Sequence, residues 1–373
     1  MIKIAHILHS VGGVDVYMRL LLNNINETKF ETIIIHGKND THNKFSHKSG
    51  NPVKEYNIDI TREIALLKDL KSIYDCIKIV RKEKPDLLHV HSAKGGVIGR
   101  IVGKITNTQV FYTPHAFSYL SQSNPLKRSL YLWIEKLLAN GNSKIIATSQ
   151  SEKSRAIQDV GYKSNHVFVC NNSIDPIKDI LPLNITKTWP EEYICTVGRP
   201  SYQKNIELMI RVLFEMNKTS KTHLVIMGVG HHADKLDNVK HLIEKLNMSN
   251  QVTLLNWTER EDILNIISNS KLYISTSRYE GLPYSVIEAL ALSIPCVVSD
   301  CDGNKDLILD GHNGYVIKNH STIDFKDKII HLLNNEVTHN QFSINSRTEF
   351  FKKYNIENNI KNLEKIYIAH SKK

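Results

Sequence analysis

Short β-branched runs alternate with longer stretches of helical periodicity along almost the whole chain, and nothing else in the sequence constrains the fold as tightly. Lys3 to His9 reads as a strand, followed by a glycine loop and a helix from about Val16. Further strands are predicted at Glu31 to His36, Asp86 to Ser92, Gln109 to Pro114, Ser143 to Ser149 and His166 to Asn172. Between the second and third of these, Thr61 to Lys84 places Leu67, Leu70, Ile73, Tyr74, Ile77 and Val80 at helical spacing. Two further helices fill the later gaps. Strands that alternate with helices in this way predict a parallel sheet. The alternation pauses at Asn172 to Glu192, where Pro176, Pro182 and Pro190 break any regular element, and this is read as the domain boundary. A second set of strands then runs Tyr193 to Val197, Thr222 to Met227, Val252 to Trp257, Lys271 to Ser277, Pro295 to Ser299 and Gly314 to Ile317. Their near-continuous apolar character suits strands covered on both faces. The expectation is an α/β protein of two doubly wound domains, residues 1–175 and 190–354. Ligands would bind at the carboxyl ends of the strands, with the cleft between the domains as the default site. Ile356 to His370 carries Ile356, Ile360, Leu363, Ile366 and Tyr367 at helical spacing and reads as a closing helix, about 355–370, that can pack back on the first domain.

A chain of 373 residues is long enough for two such cores. No segment approaches the ~20 uninterrupted apolar residues of a bilayer crossing. Met1 to His9 has a charge inside its short apolar run and does not read as a signal peptide. Cys76, Cys170, Cys195, Cys296 and Cys301 are scattered and form no C-x-x-C pair, so they read as reduced, mostly buried thiols of a cytoplasmic protein. The charge is uneven. Residues 1–180 hold 25 Lys and Arg against 16 Asp and Glu, and residues 181–373 hold 23 against 22. A basic first half attracts phosphate-bearing partners such as nucleic acid, anionic lipid or a phosphorylated substrate, or else is simply a solvated lysine-rich surface.

Four loops at predicted strand ends carry the chemistry. Ser10-Val11-Gly12-Gly13-Val14-Asp15 lies between the first strand and the first helix, where glycines and a helix N-terminus suit a phosphate, although a tight turn needs glycine in any case. Gly228-Val229-Gly230-His231-His232-Ala233 only superficially matches a dinucleotide fingerprint. The next strand ends in Asn256-Trp257 rather than an acidic residue, which disfavours a nicotinamide enzyme while leaving a backbone contact from Gly228 to a nucleotide open. Arg199 and Lys204 flank a turn before a helix beginning near Asn205. Two such cations would repel each other without an anion between them, so a diphosphate explains the pair better than packing does. In Ser277 to Leu290, Glu280 sits in a turn with Gly281, Pro283 suits a first helical turn, and Glu288 falls about a turn and a half into the helix. Glu280 has a ready alternative role beside the helix dipole. Glu288, on an apolar helix face, has no such explanation.

These motifs together resemble the retaining glycosyltransferases of family 4, the "glycosyl transferases group 1" class with the GT-B fold, over nearly the whole chain. The specific part is the Glu-x7-Glu signature, Glu280 to Glu288. Gly198-Arg199 to Lys204 is similar to the family's Gly-Arg-x4-Lys, Gly12-Gly13-Val14-Asp15 to its first-domain loop, Tyr112-Thr113-Pro114-His115 to its histidine segment, and Asn172-Ser173-Ile174-Asp175 to its interdomain element. Leu88 to Lys94 and Tyr112 to Phe117 most resemble the bacterial capsule and O-antigen branch. Asp15, Ser173 and Asp302-Gly303-Asn304-Lys305-Asp306 depart from the family pattern and bear on the acceptor contact, the hinge and the preference for donor sugar.

The resemblance implies two Rossmann-like domains and a hexosyl- or N-acetylhexosaminyltransferase. Such an enzyme takes a nucleotide diphosphate-sugar, with UDP favoured, and forms an α-glycosidic bond on a lipid-linked or growing surface glycan. It implies that Arg199 and Lys204 hold the donor diphosphate, Glu288 the ribose and Glu280 the transferred sugar. His115 would contact that sugar, and Gly12 and Gly13 would cap the phosphates. Gly228, Gly281, Leu282 and Pro283 would complete the donor contacts. Glu280, His115, Arg199 and Lys204 are the implied catalytic group, with no cofactor and no metal. The leaving diphosphate would itself take the acceptor's proton, so no protein nucleophile is needed.

Asp300-Cys301-Asp302 spells a metal-binding D-x-D but follows a late strand and is read as loop chemistry. His89 and His91 share a strand face with no third ligand in sequence reach, so a metal there is not expected. A sugar-nucleotide epimerase with the same fold is the rival within enzymes. A basic nucleic-acid binder is the rival outside them, and it is disfavoured because the aromatic residues mostly fall inside strand and helix patterns. Asn124 to Leu138 predicts a helix mixing Leu and aromatic residues with Lys127, Arg128 and Lys136. Its near-continuous apolar character suits a core helix slightly better than a contact with the cytoplasmic membrane face, the location that a lipid-linked acceptor implies.

Overall fold

The computed structural model describes residues 1–38, 40–41, 43–60, 65–139, 141–230 and 233–371. The beginning of the expected helix at Thr61, His231 and His232 of the second glycine loop, and the terminal lysines lie outside the described residues. The chain divides into two compact units, residues 1–175 with 356–373, and residues 176–355. The proline-interrupted segment after Asp175 belongs to the second unit, where the Asn184 amide donates to Asp262.

The first unit is a parallel sheet of β1 (Ile2–Leu8), β2 (Phe30–Gly37), β3 (Lys54–Ile58), β4 (Leu87–His91), β5 (Gln109–Thr113), β6 (Ser143–Ala147) and β7 (Val167–Val169), in the order β3-β2-β1-β4-β5-β6-β7. The helices that connect its strands are α1 (Gly13–Asn24), α2 (Leu66–Glu83), α3 (Ser92–Thr106), α4 (Pro125–Ala139) and α5 (Gln150–Arg155). β1, β4, β5 and β6 are buried almost throughout, which explains their largely apolar sequences. β3, of sequence KEYNI, is the strand the sequence pattern misses: it is a half-exposed edge strand with little apolar content.

The second unit has a parallel sheet of β8 (Ile194–Val197), β9 (Leu224–Met227), β10 (Val252–Leu254), β11 (Leu272–Ser275), β12 (Cys296–Ser299) and β13 (Gly314–Ile317), in the order β10-β9-β8-β11-β12-β13. α6 (Ile206–Met216), α7 (Leu236–Lys245), α8 (Arg260–Ser268), α9 (Tyr284–Ala291), α10 (Asn304–Leu307), α11 (Thr322–Asn334) and α12 (Glu336–Glu349) cover it. The last helix, α13 (Ile356–His370), belongs to the first unit. It buries Ile356, Ile360, Leu363, Ile366 and Tyr367, and Glu364 accepts from the Asn26 amide.

Two helices present faces the periodicity does not predict. On α2, the buried positions are Ser72, Cys76 and Val80, while Leu67, Leu70 and Tyr74 are exposed. On α4, Leu126, Leu130, Trp133 and Leu137, spaced as one helical stripe, are 82%, 50%, 58% and 57% exposed. The reading of α4 as a core helix is therefore corrected. Its one fully buried residue is Glu135. Glu135 accepts from Arg100 of α3 at 2.8 Å and from the Tyr112 hydroxyl at 3.1 Å, and the Arg100 guanidinium lies 4.2 Å from the centre of the Tyr112 ring. A carboxylate anchored this way sets the rotation of the helix and turns the leucine stripe outward. α3 itself is glycine-rich yet helical because side chains there would strike the sheet. A Cβ on Gly99 would come within 2.1 Å of Val90, and one on Gly103 within 2.1 Å of Val110.

Removing one partner of a buried ion pair leaves the other charge uncompensated. Glu135→Ala is accordingly expected to destabilise the protein by about 3–5 kcal/mol, whereas Leu130→Ala on the exposed stripe costs under about 0.5 kcal/mol. Urea unfolding of the two variants side by side checks this, and equal costs would contradict the anchoring role.

Candidate active site

In the second sheet the strand order reverses between β8 and β11, and the candidate residues converge on the carboxyl ends there. Gly198 and Arg199 leave β8. A Cβ on Gly198 would stand 3.1 Å from Lys204 Cγ, so the glycine leaves room for the lysine stem across the strand end. Lys204 precedes α6, whose N-cap Asn205 is in the left-handed region at φ 52° and makes no side-chain cap. Glu280 follows β11 and is buried. Its Oε1 accepts from Lys204 Nζ at 2.8 Å and from Ser277 Oγ at 2.7 Å, and its Oε2 accepts from Gln203 Nε2 at 3.0 Å. Lys204 thus has a protein carboxylate as a partner, a contact that the sequence reading of the Arg199 and Lys204 pair did not include. With both oxygens engaged by three donors, Glu280 is a poor nucleophile and a fixed negative charge. Gln203 and Ser277 are members of this cluster that the motif reading did not single out. Their only sequence signal is adjacency to Lys204 and Glu280.

Gly303, after β12, closes the same cluster. It sits at φ 80°, and a Cβ there would lie 2.7 Å from the Gly281 carbonyl and 3.0 Å from Glu280 Cβ. Only glycine meets both conditions, so the departure from the family pattern around it leaves this backbone contact in place. Leu282 is buried, and Pro283 is the N-cap of α9, which no described side chain caps. Its first-turn N–H groups and dipole favour an anion. Gly228, at φ 82°, ends β9 beside β8 with open space where a Cβ would be.

Glu288 is buried on α9 and does have a partner, contrary to the sequence reading: Arg260 Nε of α8 donates to its Oε1 at 3.1 Å. Asp300 is exposed, while Asp302 is buried and pairs with Lys305 at 3.2 Å, so the two do not form a matched pair of ligands.

In the first sheet the order reverses between β1 and β4. Gly12, at φ 60°, caps α1, and a Cβ on Gly12 or Gly13 would meet nothing within 4 Å. Asp15 accepts from Ser10 Oγ at 2.9 Å and from Arg19 Nε at 2.8 Å. His115 follows β5 at φ 53°, with Ala116 at φ 77°, a strained turn pinned by Glu152, which accepts from the Ala116 amide at 2.8 Å. His115 is half-buried, and burial holds its imidazole far below the ordinary value. The expectation that His89 and His91 lack a third imidazole is corrected: His6, on β1 opposite His89, brings the three rings' ligand atoms within 4.8 Å of one another.

Two family models together match most of the chain. Residues 11–178 match the model of Glycosyltransferase Family 4, and residues 184–349 match that of Glycosyl transferases group 1. The chain is similar to the UDP-Gal:alpha-D-GlcNAc-diphosphoundecaprenol alpha-1,3-galactosyltransferase of Escherichia coli, at 27% identity over 83% of this chain and 82% of that one. It is also similar to the capsular polysaccharide biosynthesis glycosyltransferase CapM of Staphylococcus aureus, at 26% identity over 85% of this chain and 87% of that one. Among solved structures, HepE of Anabaena in complex with UDP and glucose superposes with a TM-score of 0.78 at 17% identity, over 99% of this chain and all of that one, which shows a shared fold.

Burial raises the Glu288 carboxyl above its ordinary value, with Arg260 pulling the other way. The native state therefore holds this proton more tightly than the unfolded chain does. The group's contribution is largest in acid and declines as pH rises from the ordinary carboxylate range through the raised native value. Glu288→Gln removes that decline, so the variant should gain stability relative to wild type as pH rises above the ordinary carboxylate range. Urea midpoints measured from that range upward check it, and a gap that stays constant or shrinks would refute the sign.

Proposed function

The chain belongs to the group 1 glycosyl transferases of family 4, with the GT-B fold, and from that membership we propose that it transfers a sugar with retention from a UDP-hexose or UDP-N-acetylhexosamine to a lipid-linked or growing surface glycan, forming an α-glycosidic bond. The observation that carries this reading is Glu280, held by Lys204, Ser277 and Gln203 beside the N-terminus of α9. Arg199 and Lys204 take the diphosphate and stabilise the charge that grows on it as the bond to the anomeric carbon breaks. The acceptor oxygen bonds that carbon on the same face, and its proton passes to the departing phosphate oxygen. Glu280 holds the transferred sugar and faces the positive charge at its anomeric carbon, Glu288 binds the ribose, and His115 meets a hydroxyl of the sugar. Gly12, Gly13, Gly228, Gly281, Leu282 and Pro283 provide close backbone approach. No metal enters, because cations and helix N-termini neutralise the phosphates. The UDP named with HepE and the diphosphoundecaprenol acceptor of the Escherichia coli relative support this choice of donor and acceptor.

The test is transfer from UDP-sugars to a polyprenyl-diphosphate-linked sugar in EDTA, with the linkage read by NMR. Wild type should form an α-linked product, and Lys204→Ala and Arg199→Ala should each lose about 100-fold or more. Variants within about threefold of wild type would defeat the diphosphate assignment. Loss in EDTA restored by Mn²⁺ would promote Asp300 and Asp302 to ligands, and a β-linkage would end the retaining reading.

A lipid-linked acceptor places the enzyme at the cytoplasmic face of the membrane, as a peripheral protein. No helix among the described residues is long and apolar enough to cross. The outward stripes of α2 and α4, with Lys68, Lys71, Lys127 and Arg128 exposed beside them, fit an anionic bilayer surface better than nucleic acid, because leucines outnumber aromatics there. Co-sedimentation should show binding to anionic vesicles at about 0.1 M salt that weakens toward 1 M, and Trp133→Glu should reduce it. Equal binding to neutral vesicles, or none to anionic ones, would favour a soluble acceptor.

A further inference from the structure

The histidines at the carboxyl ends of the first sheet form an ordered hydrogen-bonded chain. His6 Nδ1 lies 3.0 Å from His91 Nε2, and His91 Nδ1 lies 3.2 Å from His115 Nε2. The His91 and His115 rings lie 27° from parallel with 5.5 Å between centres, and Tyr17 meets His115 edge-on at 5.0 Å. His89 stands outside this chain. The Thr113 hydroxyl donates to the Ile146 carbonyl at 2.8 Å, so toward His89 it can only accept, which places the His89 proton on Nε2, 2.8 Å away. His89 Nδ1 then accepts from the Tyr367 hydroxyl. With both nitrogens committed, His89 cannot join His6 and His91 around a metal ion without breaking a buried hydrogen bond, and the spacing of the three rings is better explained without an ion.

The remaining three rings must settle a proton order, because each link needs one N–H and one lone pair. The closed end decides it. His6 is fully buried, and its Nε2 has no hydrogen-bond partner among the described residues. Protons directed from His115 toward His6 would end the chain on a buried N–H without an acceptor, whereas the opposite direction ends it on a bare lone pair. Orphaned buried N–H groups are the rarer of the two. The order therefore runs outward, from His6 Nδ1–H to His91 Nε2 and from His91 Nδ1–H to His115 Nε2.

We infer that His6 and His91 are positioning residues that hold His115 as its Nδ1–H tautomer, so that it meets an oxygen of the sugar substrate as a hydrogen-bond donor at Nδ1. The contact with sugar rests on the function proposed above; the tautomer does not. Burial pulls His6 down to about 3 and His91 well below the ordinary imidazole value, so the chain stays neutral at physiological pH and no imidazolium overrides its order.

Long-range ¹H–¹⁵N correlation on histidine-labelled wild-type protein reads the tautomers without any substrate. The expected result is Nδ1–H at His6, His91 and His115 and Nε2–H at His89; Nε2–H at His115 overturns the inference. Two variants then separate positioning from packing. His6→Leu deletes the first donor, while His6→Asn keeps an N–H near the Nδ1 position. The expected outcome is kcat/KM about tenfold lower for His6→Leu, with His6→Asn within about threefold of wild type. Equal losses in the two variants would overturn the positioning role. If the protein transfers no sugar at all, the proposed function fails while the tautomer assignment is still decided by the spectra.

Discussion

In each unit, the helices following two neighbouring central strands leave toward opposite faces of the sheet, and the carboxyl ends of those strands cannot be covered by the chain that follows. The remaining features of the sites depend on that constraint. Beyond the buried His6 and His89 inside β1 and β4, the polar side chains of the sites lie where the strands stop. Lys204, Ser277 and Glu280 gather after β8 and β11, Gly12 and His115 after β1 and β5, and His91 is the last residue of β4. The turns at these places accept unfavourable backbone because their geometry matters more than their own stability. Asn205, His115, Ala116 and Gly303 all sit at positive φ.

The Glu280 cluster is fixed by contacts within the protein. In the proposed reaction, a buried carboxylate with three donors would need no reorganisation when positive charge develops opposite it, and a lysine already oriented by that carboxylate would need less reorientation to meet a diphosphate. The first unit uses neutral groups for the same purpose. His6 and His91 are buried too deeply to charge, so they can transmit only tautomer order and ring orientation. One unit thus presents fixed charge and the other a fixed hydrogen-bond polarity.

A single buried ion pair has consequences at the surface. Arg100 and Glu135 lock α4 against α3 through its polar residue, which leaves the leucines and Trp133 facing outward. Apolar area of that kind on a helix rotated by an internal charge suggests selection for something outside the fold. α2, which also packs against α3, shows the same inversion, its buried line running through Ser72 and Cys76 while Leu67 and Leu70 face out.

Much of this was legible in the sequence, because strands buried on both faces must read as apolar runs and the turns at their ends must read as glycine and polar residues. The parallel strands of both sheets, the position of Glu280 in its turn and the α13 positions that pack all follow from local pattern. What the local pattern could not supply was any contact between residues distant in the chain. The edge strand β3 has no hydrophobic signature because only one side of it is paired. The carboxylate that neutralises Lys204 lies 76 residues further along, Arg260 reaches Glu288 from another helix, and His6 meets His91 across 85 residues. Periodicity shows that a helix has an apolar stripe but not which way the stripe faces; for α4 that was decided by one glutamate finding one arginine. The sequence by itself thus determined the elements and the loops that carry chemistry, since these depend on neighbours along the chain. Tertiary structure alone decided charge pairing, tautomer order and the exposed faces, since these depend on which neighbours the sheets bring together in space.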